Sequence, residues 1–201
     1  RRLVQVSPLA VVGMVFVGIA VSMLFGMGSV YGRSIGLNNT QVGYFMASIT
    51  LGTLALQYPI GRLSDRFDRR VVIFGVAVIA GIAISIAGFF GVDQFISLFI
   101  LMLVFGGLLF SLYSLFIAHA NDYLPPSQMV AMSSGLLMIN SAGAVIGSPL
   151  AASVIEFVGT RGFMPTIAGF LFLLAGFVLY RMSMRSAVPA EAQGVFVAIP
   201  D

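Results

Sequence analysis

The chain has no cysteine, no tryptophan and no lysine, and it carries few charges of either sign: ten arginines and seven acids in 201 residues. Without cysteine there are no disulfides, thiolate metal sites or cysteine nucleophiles, and the redox compartment stays open. Without lysine every basic side chain is an arginine. A single histidine, and no serine in a Gly-x-Ser-x-Gly elbow, leave an intramembrane hydrolase without its facing nucleophile and base. Phosphate-binding glycine loops, metal-ligand clusters and the charge rings of a channel are also missing. No cofactor, no metal and no enzymatic chemistry is expected. Charged residues make up 8% of the chain and mean hydropathy is +1.07, whereas a soluble domain is roughly a quarter charged. The chain therefore reads as an all-α integral membrane protein. Its net charge of +3 sits in the connections between apolar stretches, which indicates topology and not nucleic acid.

A membrane span needs about 20 mostly apolar residues. Six stretches meet this, near 8–30, 41–60, 71–90, 95–118, 129–157 and 163–180. Backbone groups in lipid must be satisfied within their own segment, and the alternating ten-residue strands of a barrel are absent, so helices are expected. Arg62, Arg66, Arg69, Arg70, Arg181, Arg185 and the opening Arg1-Arg2 fall on one side, with only Arg33 and Arg161 on the other. By the positive-inside rule both termini are cytoplasmic. Tyr31 and Tyr44 are expected at the outer interface, and Tyr58, Tyr123 and Tyr180 at the inner one. The start Arg1-Arg2-Leu3, with no methionine, reads as an internal point of a longer protein, and 187–201 as a short cytoplasmic tail after a six-helix unit of 1–186.

Small residues recur at four-residue spacing in the first span (Gly18, Ser22, Gly26) and the fifth (Gly143, Gly147, Ala151), stripes that let helix backbones approach. Asn140 falls on the same side as Gly143 and Gly147. Pro59 and Pro149 each remove a backbone donor and are expected to bend their helices. Asn39 or Thr40, Asp68 and Ser127 are candidate N-caps for the second, third and fifth helices. Pro59-x-Gly61-x-x-x-Asp65 and Pro149-x-Ala151-x-x-x-x-Glu156 form a faint internal repeat offset by three helices.

One stretch breaks the apolar run. In 61–70, Gly-Arg-Leu-Ser-Asp-Arg-Phe-Asp-Arg-Arg, six of ten residues are charged. The pattern Gly-x-x-x-Asp-Arg-x-x-Arg-Arg, placed between the second and third spans, resembles the cytoplasmic loop signature of the major facilitator superfamily. The glycine-proline fifth span and the Asn121-Asp122 to Pro126 connection resemble that superfamily too. The wording around Gln57 to Arg70 is similar to bacterial YcaD-like members, in the copy that begins the second half.

The resemblance implies one half of a twelve-span secondary transporter, built as a 3+3 inverted repeat, with a small solute bound between halves in the bacterial inner membrane. The implied partners are membrane lipid and the missing N-terminal six-helix half, or a second copy. It also implies that Gly61 permits close approach, that Asp65 is the acid at the seam, and that Arg66, Arg69 and Arg70 are its partners and lipid anchors, with Arg62 part of the same gating loop. Gly143, Gly147 and Pro149 are the packing residues. Gln57, Tyr113 and Asn140 are the polar candidates for a solute cavity, with interhelical hydrogen bonding as their plainer role. Glu156 is expected to lie close to Arg161, and His119 at the interface. Export of a small organic molecule is the expected function, and the alternative is a self-contained six-span binding or scaffold subunit.

Overall fold

A computed structural model describes residues 7–90 and 92–184. Arg1, Arg2, Arg185 and the expected tail lie outside the described residues. All regular structure within them is helical: α1 (Pro8–Ser34), α2 (Asn39–Ser64), α3 (Arg69–Ala87), α4 (Phe95–Asn121), α5 (Pro126–Phe157) and α6 (Phe163–Met184), with single 3-10 turns at Val92–Gln94 and Thr160–Gly162. Each helix falls on one expected span, and α3 ends at Ala87, short of the expected residue 90. Five of them are long and apolar enough to cross a membrane. The exception is α2, where Asn39, Thr40, Gln41, Thr50, Thr53, Gln57 and Arg62 dilute the apolar residues.

The helix ends revise three expectations. Asn38, not Asn39 or Thr40, caps α2: its side chain accepts from Gln41 N–H while the Gln41 side chain accepts from Asn38 N–H, both at 2.9 Å. Ser127 does not cap α5, which starts one residue earlier with Pro125 at the cap and Pro126 in the first turn, where a missing N–H costs nothing. Tyr31 is buried and stacks on Phe163 with centroids 5.0 Å apart, so it is no part of an outer belt. Asp68 caps α3 as expected. Helix α5 runs through Pro149, and α2 through Pro59, without a break.

The closest packing is between α1 and α5 and between α2 and α4, followed by α3 with α6 and with α4. Exchanging the first three helices for the last three maps the two leading pairs onto each other. Glycines create both crossings. A side chain at Gly18 would strike the Asn140 carbonyl, at Gly143 the Val15 carbonyl, and at Gly147 the Ile19 carbonyl. Gly52 meets the Leu103 carbonyl, and Gly106 and Gly107 meet those of Ile49 and Gly52. Hydrogen bonds reinforce the same crossings. Ser148 Oγ donates to the Ser22 carbonyl at 2.9 Å, which leaves Ser22 to donate to Ser148 Oγ at 2.7 Å. The core lies between these pairs and includes Met14, Phe45, Phe105, Phe116 and Phe163.

Close approach makes a sharp test. Gly52→Ala or Gly147→Ala forces a methyl against a backbone carbonyl and is expected to cost about 1–3 kcal/mol, as overpacking does. Gly169→Ala and Gly43→Ala meet nothing within 4 Å and should be neutral or stabilising, because alanine favours helix by roughly 1 kcal/mol. Unfolding midpoints in detergent would separate the two groups. Equal effects would remove the packing role.

Candidate functional site

The charged stretch folds into a junction at one end of the bundle. Helix α2 ends at Ser64, with Asp65 as its C-cap, and α3 begins at Arg69 after the Asp68 cap. Helix α4 ends beside them, with Asp122 as its C-cap. Arg69 bridges all three. Its Nε lies 2.9 Å from Asp122 Oδ2, and its Nη2 lies 3.2 Å from Asp65 Oδ1. The Arg69 and Asp122 side chains are only 1% and 3% exposed. Asp65 and Asp122 both sit at helix C-termini, where the dipole disfavours an anion. The guanidinium between them offsets that penalty.

Arg70 turns to Asp68, placing Nε 3.2 Å from Oδ1 and Nη2 3.0 Å from Oδ2. Its own backbone N–H also donates to Asp68 Oδ1 at 3.0 Å. Burial alone would raise the Asp68 pKa, but these hydrogen bonds, the Arg70 charge and the nearby His119 hold it below the usual carboxylate range. Of the three arginines taken as partners and lipid anchors of Asp65, Arg69 pairs with it, and both Arg69 and Arg70 are buried. Arg62 and Arg66 are exposed. Arg62 donates to the Tyr58 hydroxyl at 3.3 Å. Gly61 is buried near the C-terminal end of α2.

His119 is buried too, edge-on to Tyr123 at 5.3 Å between centroids. Sequence reasoning missed Asp122 as a partner of Arg69. The available signal was that it is the only acid between Asp93 and Glu156, and a lone acid in so apolar a stretch calls for a cation. Glu156 and Arg161 are both exposed and form no ion pair among the described residues.

The polar candidates within the spans are divided between the two crossings. Gln57 Nε2 donates to Ser114 Oγ at 2.8 Å, joining α2 to α4. Asn140 Nδ2 donates to the Met14 carbonyl at 3.1 Å, joining α5 to α1. Tyr113, next to Ser114, is half-buried and packs against the core. Gly143 and Gly147 hold α5 on α1, whereas Pro149 is exposed one residue past Ser148. Among the described residues no group of His, Asp and Glu could hold a metal.

Two predictions follow from the junction. Asp122→Asn leaves Arg69 buried without its closest charge and should cost about 3–5 kcal/mol, as breaking a buried pair does. Arg66→Gln, on an exposed side chain, should stay within about 0.5 kcal/mol. Thermal unfolding in detergent distinguishes them, and equal effects would refute the bridge. The lowered Asp68 pKa means that its contribution is present above the ordinary carboxylate pKa of about 3.9 and disappears as pH falls through the lower folded value. Asp68→Asn should therefore flatten the acid limb of a stability–pH profile below about pH 4 and leave its neutral limb parallel.

The model of the Major Facilitator Superfamily matches residues 10–198. Similar relatives include the proteins named "Uncharacterized MFS-type transporter YcaD" from Shigella flexneri serotype 5b and from Escherichia coli O139:H28, each 30% identical over 179 residues. The alignments cover 89% of this chain and 44% of each relative, so the chain spans less than half the length of the relatives it matches. The signature loop, the helical bundle and this match over nearly the whole chain lead to one statement: the chain belongs to the major facilitator superfamily, a family of membrane transporters.

Proposed function

We propose that this chain is one six-helix half of a twelve-span secondary transporter, formed by 1–186 with a tail at 187–201, that moves a small organic molecule out of a bacterial cell by alternating access. In this reading α2 spans the membrane with the other five helices, and the charge junction and both chain ends face the cytoplasm across the inner membrane. The exchange symmetry of the contacts supports a 3+3 inverted repeat, as such halves are built. Substrate moves without covalent chemistry, so no cofactor is required. No Asp, Glu or Arg lies in the middle of a described helix, which suits an organic solute better than an ion.

The observation that carries the reading is the exposure of α5. Only 17% of its most apolar stretch is buried, against 44 to 56% in the other four membrane-length helices. Its bare face includes Val130, Met138 and Val145, interrupted by Ser134 and Ser141. Lipid could cover the apolar residues, but a second half covers both kinds, leaving the serines toward a solute path. Helix α2 is similarly bare at Tyr44, Leu51, Leu54 and Tyr58.

A photo-reactive residue tests this in the full gene product. Placed at Val145 it should crosslink to protein outside residues 1–201, visible as a retained band after cleavage at a protease site engineered ahead of Arg1. Placed at Ile79 on α3, also exposed, it should capture only lipid. Lipid capture at both positions would leave the bundle self-contained and make the binding or scaffold subunit the better reading.

A further inference from the structure

Beside the charge junction a small cleft opens between the first turn of α1 and the ends of α3, α4 and α6. Arg70, His119, Tyr123 and Arg181 line it, together with Ser7 and Leu9 of α1, and none of its lining residues is acidic. We propose that this cleft is an anion site that takes a phosphate group, supplied by a lipid headgroup or by free phosphate. The inference does not depend on the direction or substrate of transport.

Three features converge on that chemistry. The first is charge. Asp65 and Asp122 are engaged by Arg69, and Asp68 by Arg70. Arg181, half-buried on α6, forms no ion pair with an acid among the described residues. The cleft therefore holds a guanidinium that no described carboxylate contacts, next to the buried His119. The second is preorganisation. Asp68 grips Arg70 through both carboxylate oxygens, so its guanidinium is fixed at the cleft wall before any ligand arrives, and binding need not order it. The third is the α1 terminus. Ser7 Oγ accepts from Ala10 N–H at 3.3 Å, and the Leu9 N–H belongs to the first turn, where no helical carbonyl is available. The positive end of the α1 dipole adds to the field.

The size of the cleft restricts how the ligand sits. Its enclosed volume is about 20 Å³, room for roughly one water-sized group. One anionic oxygen enters, and the rest of the phosphate stays at the mouth with its ester oxygens pointing away. A phosphodiester fits this geometry, and basic pockets between membrane helices are suited to acidic headgroups.

The test uses the full gene product in detergent, titrated separately with dihexanoyl phosphatidylglycerol, dihexanoyl phosphatidylcholine and inorganic phosphate. The readout is the imidazole resonance of His119, the only histidine of the chain, assigned by its loss in His119→Gln. Phosphatidylglycerol should shift it saturably and phosphatidylcholine should not. Arg181→Gln should weaken the apparent affinity about tenfold, the effect of one charge-assisted contact, and Arg181→Lys should restore most of it. A saturable shift with inorganic phosphate as well supports the site and identifies free phosphate as sufficient. A shift with phosphatidylglycerol alone supports it with lipid as the source. No shift with any of the three, equal shifts with both lipids, or unchanged affinity in Arg181→Gln would overturn the proposal. If Arg181→Gln does not fold, the contrast between the two lipids with unaltered protein decides alone.

Discussion

The bundle depends on backbone contact at two crossings. Lipid tails are as apolar as leucine, so helices in a bilayer gain little from burying apolar side chains against one another. Association must come from dispersion at short range and from polar bridges. Glycines on both partners bring α1 against α5 and α2 against α4 until a methyl group would collide with a carbonyl. The bridges follow the same lines: Ser22 with Ser148, Asn140 with Met14, Gln57 with Ser114, and Thr53 with the Gly106 carbonyl. Mid-helix polar groups thus either join two helices, as these do, or bond a carbonyl of their own helix, as Ser48, Ser85 and Ser111 do. That explains how so apolar a chain can carry them at modest cost, since each such bond is worth well under about 2 kcal/mol.

The two ends of the bundle are held by different means. At one end the Tyr31 ring stacks on Phe163 and tilts against Phe45, joining α1, α6 and α2 through aromatic surface. At the other, Arg69 joins α2, α3 and α4 through charge. The charged end works because opposing penalties cancel. Two carboxylates at helix C-termini and one cation at a helix N-terminus each stand against their local dipole, and together they make a compact cluster in which one guanidinium serves both acids. Asp68, by contrast, sits where an N-terminal dipole favours it, and it fixes Arg70 as it does so.

Much of this was legible in the residues. The positions of all six helices followed from apolar length. Gly18, Gly143 and Gly147 followed from four-residue spacing, and the Asp68 cap from its place before Arg69. The partners were not legible. Nothing local in the sequence tells Arg69 to choose Asp122, 53 positions away along the chain, because ion pairs between helix ends depend on which helices are neighbours. Tyr31 was misplaced for the same reason: interfacial position and aromatic character suggested a belt, but rotation about the helix axis turned the ring inward onto Phe163. The α2 cap was read one residue late because three consecutive polar residues, Asn38, Asn39 and Thr40, each could cap, and only the reciprocal bond to Gln41 selects Asn38.

The junction also divides the signature loop into two kinds of arginine. Arg69 and Arg70 are buried and committed to acids of this chain. Arg62 and Arg66 stay at the surface. A contact that forms and breaks during alternating access must be accessible in one state, and separating Arg69 from Asp122 would expose two buried charges at a cost of several kcal/mol. In our reading, then, Arg69 does not belong to the moving contact. It keeps α2, α3 and α4 together as a rigid end, which rocking of one half against the other requires. The exposed Arg62 and Arg66, on the same loop but outside that lock, are the groups placed to meet an opposing surface. In our reading the loop can therefore both lock the ends of α2, α3 and α4 and present a contact surface, because its buried and its exposed arginines serve the two tasks separately.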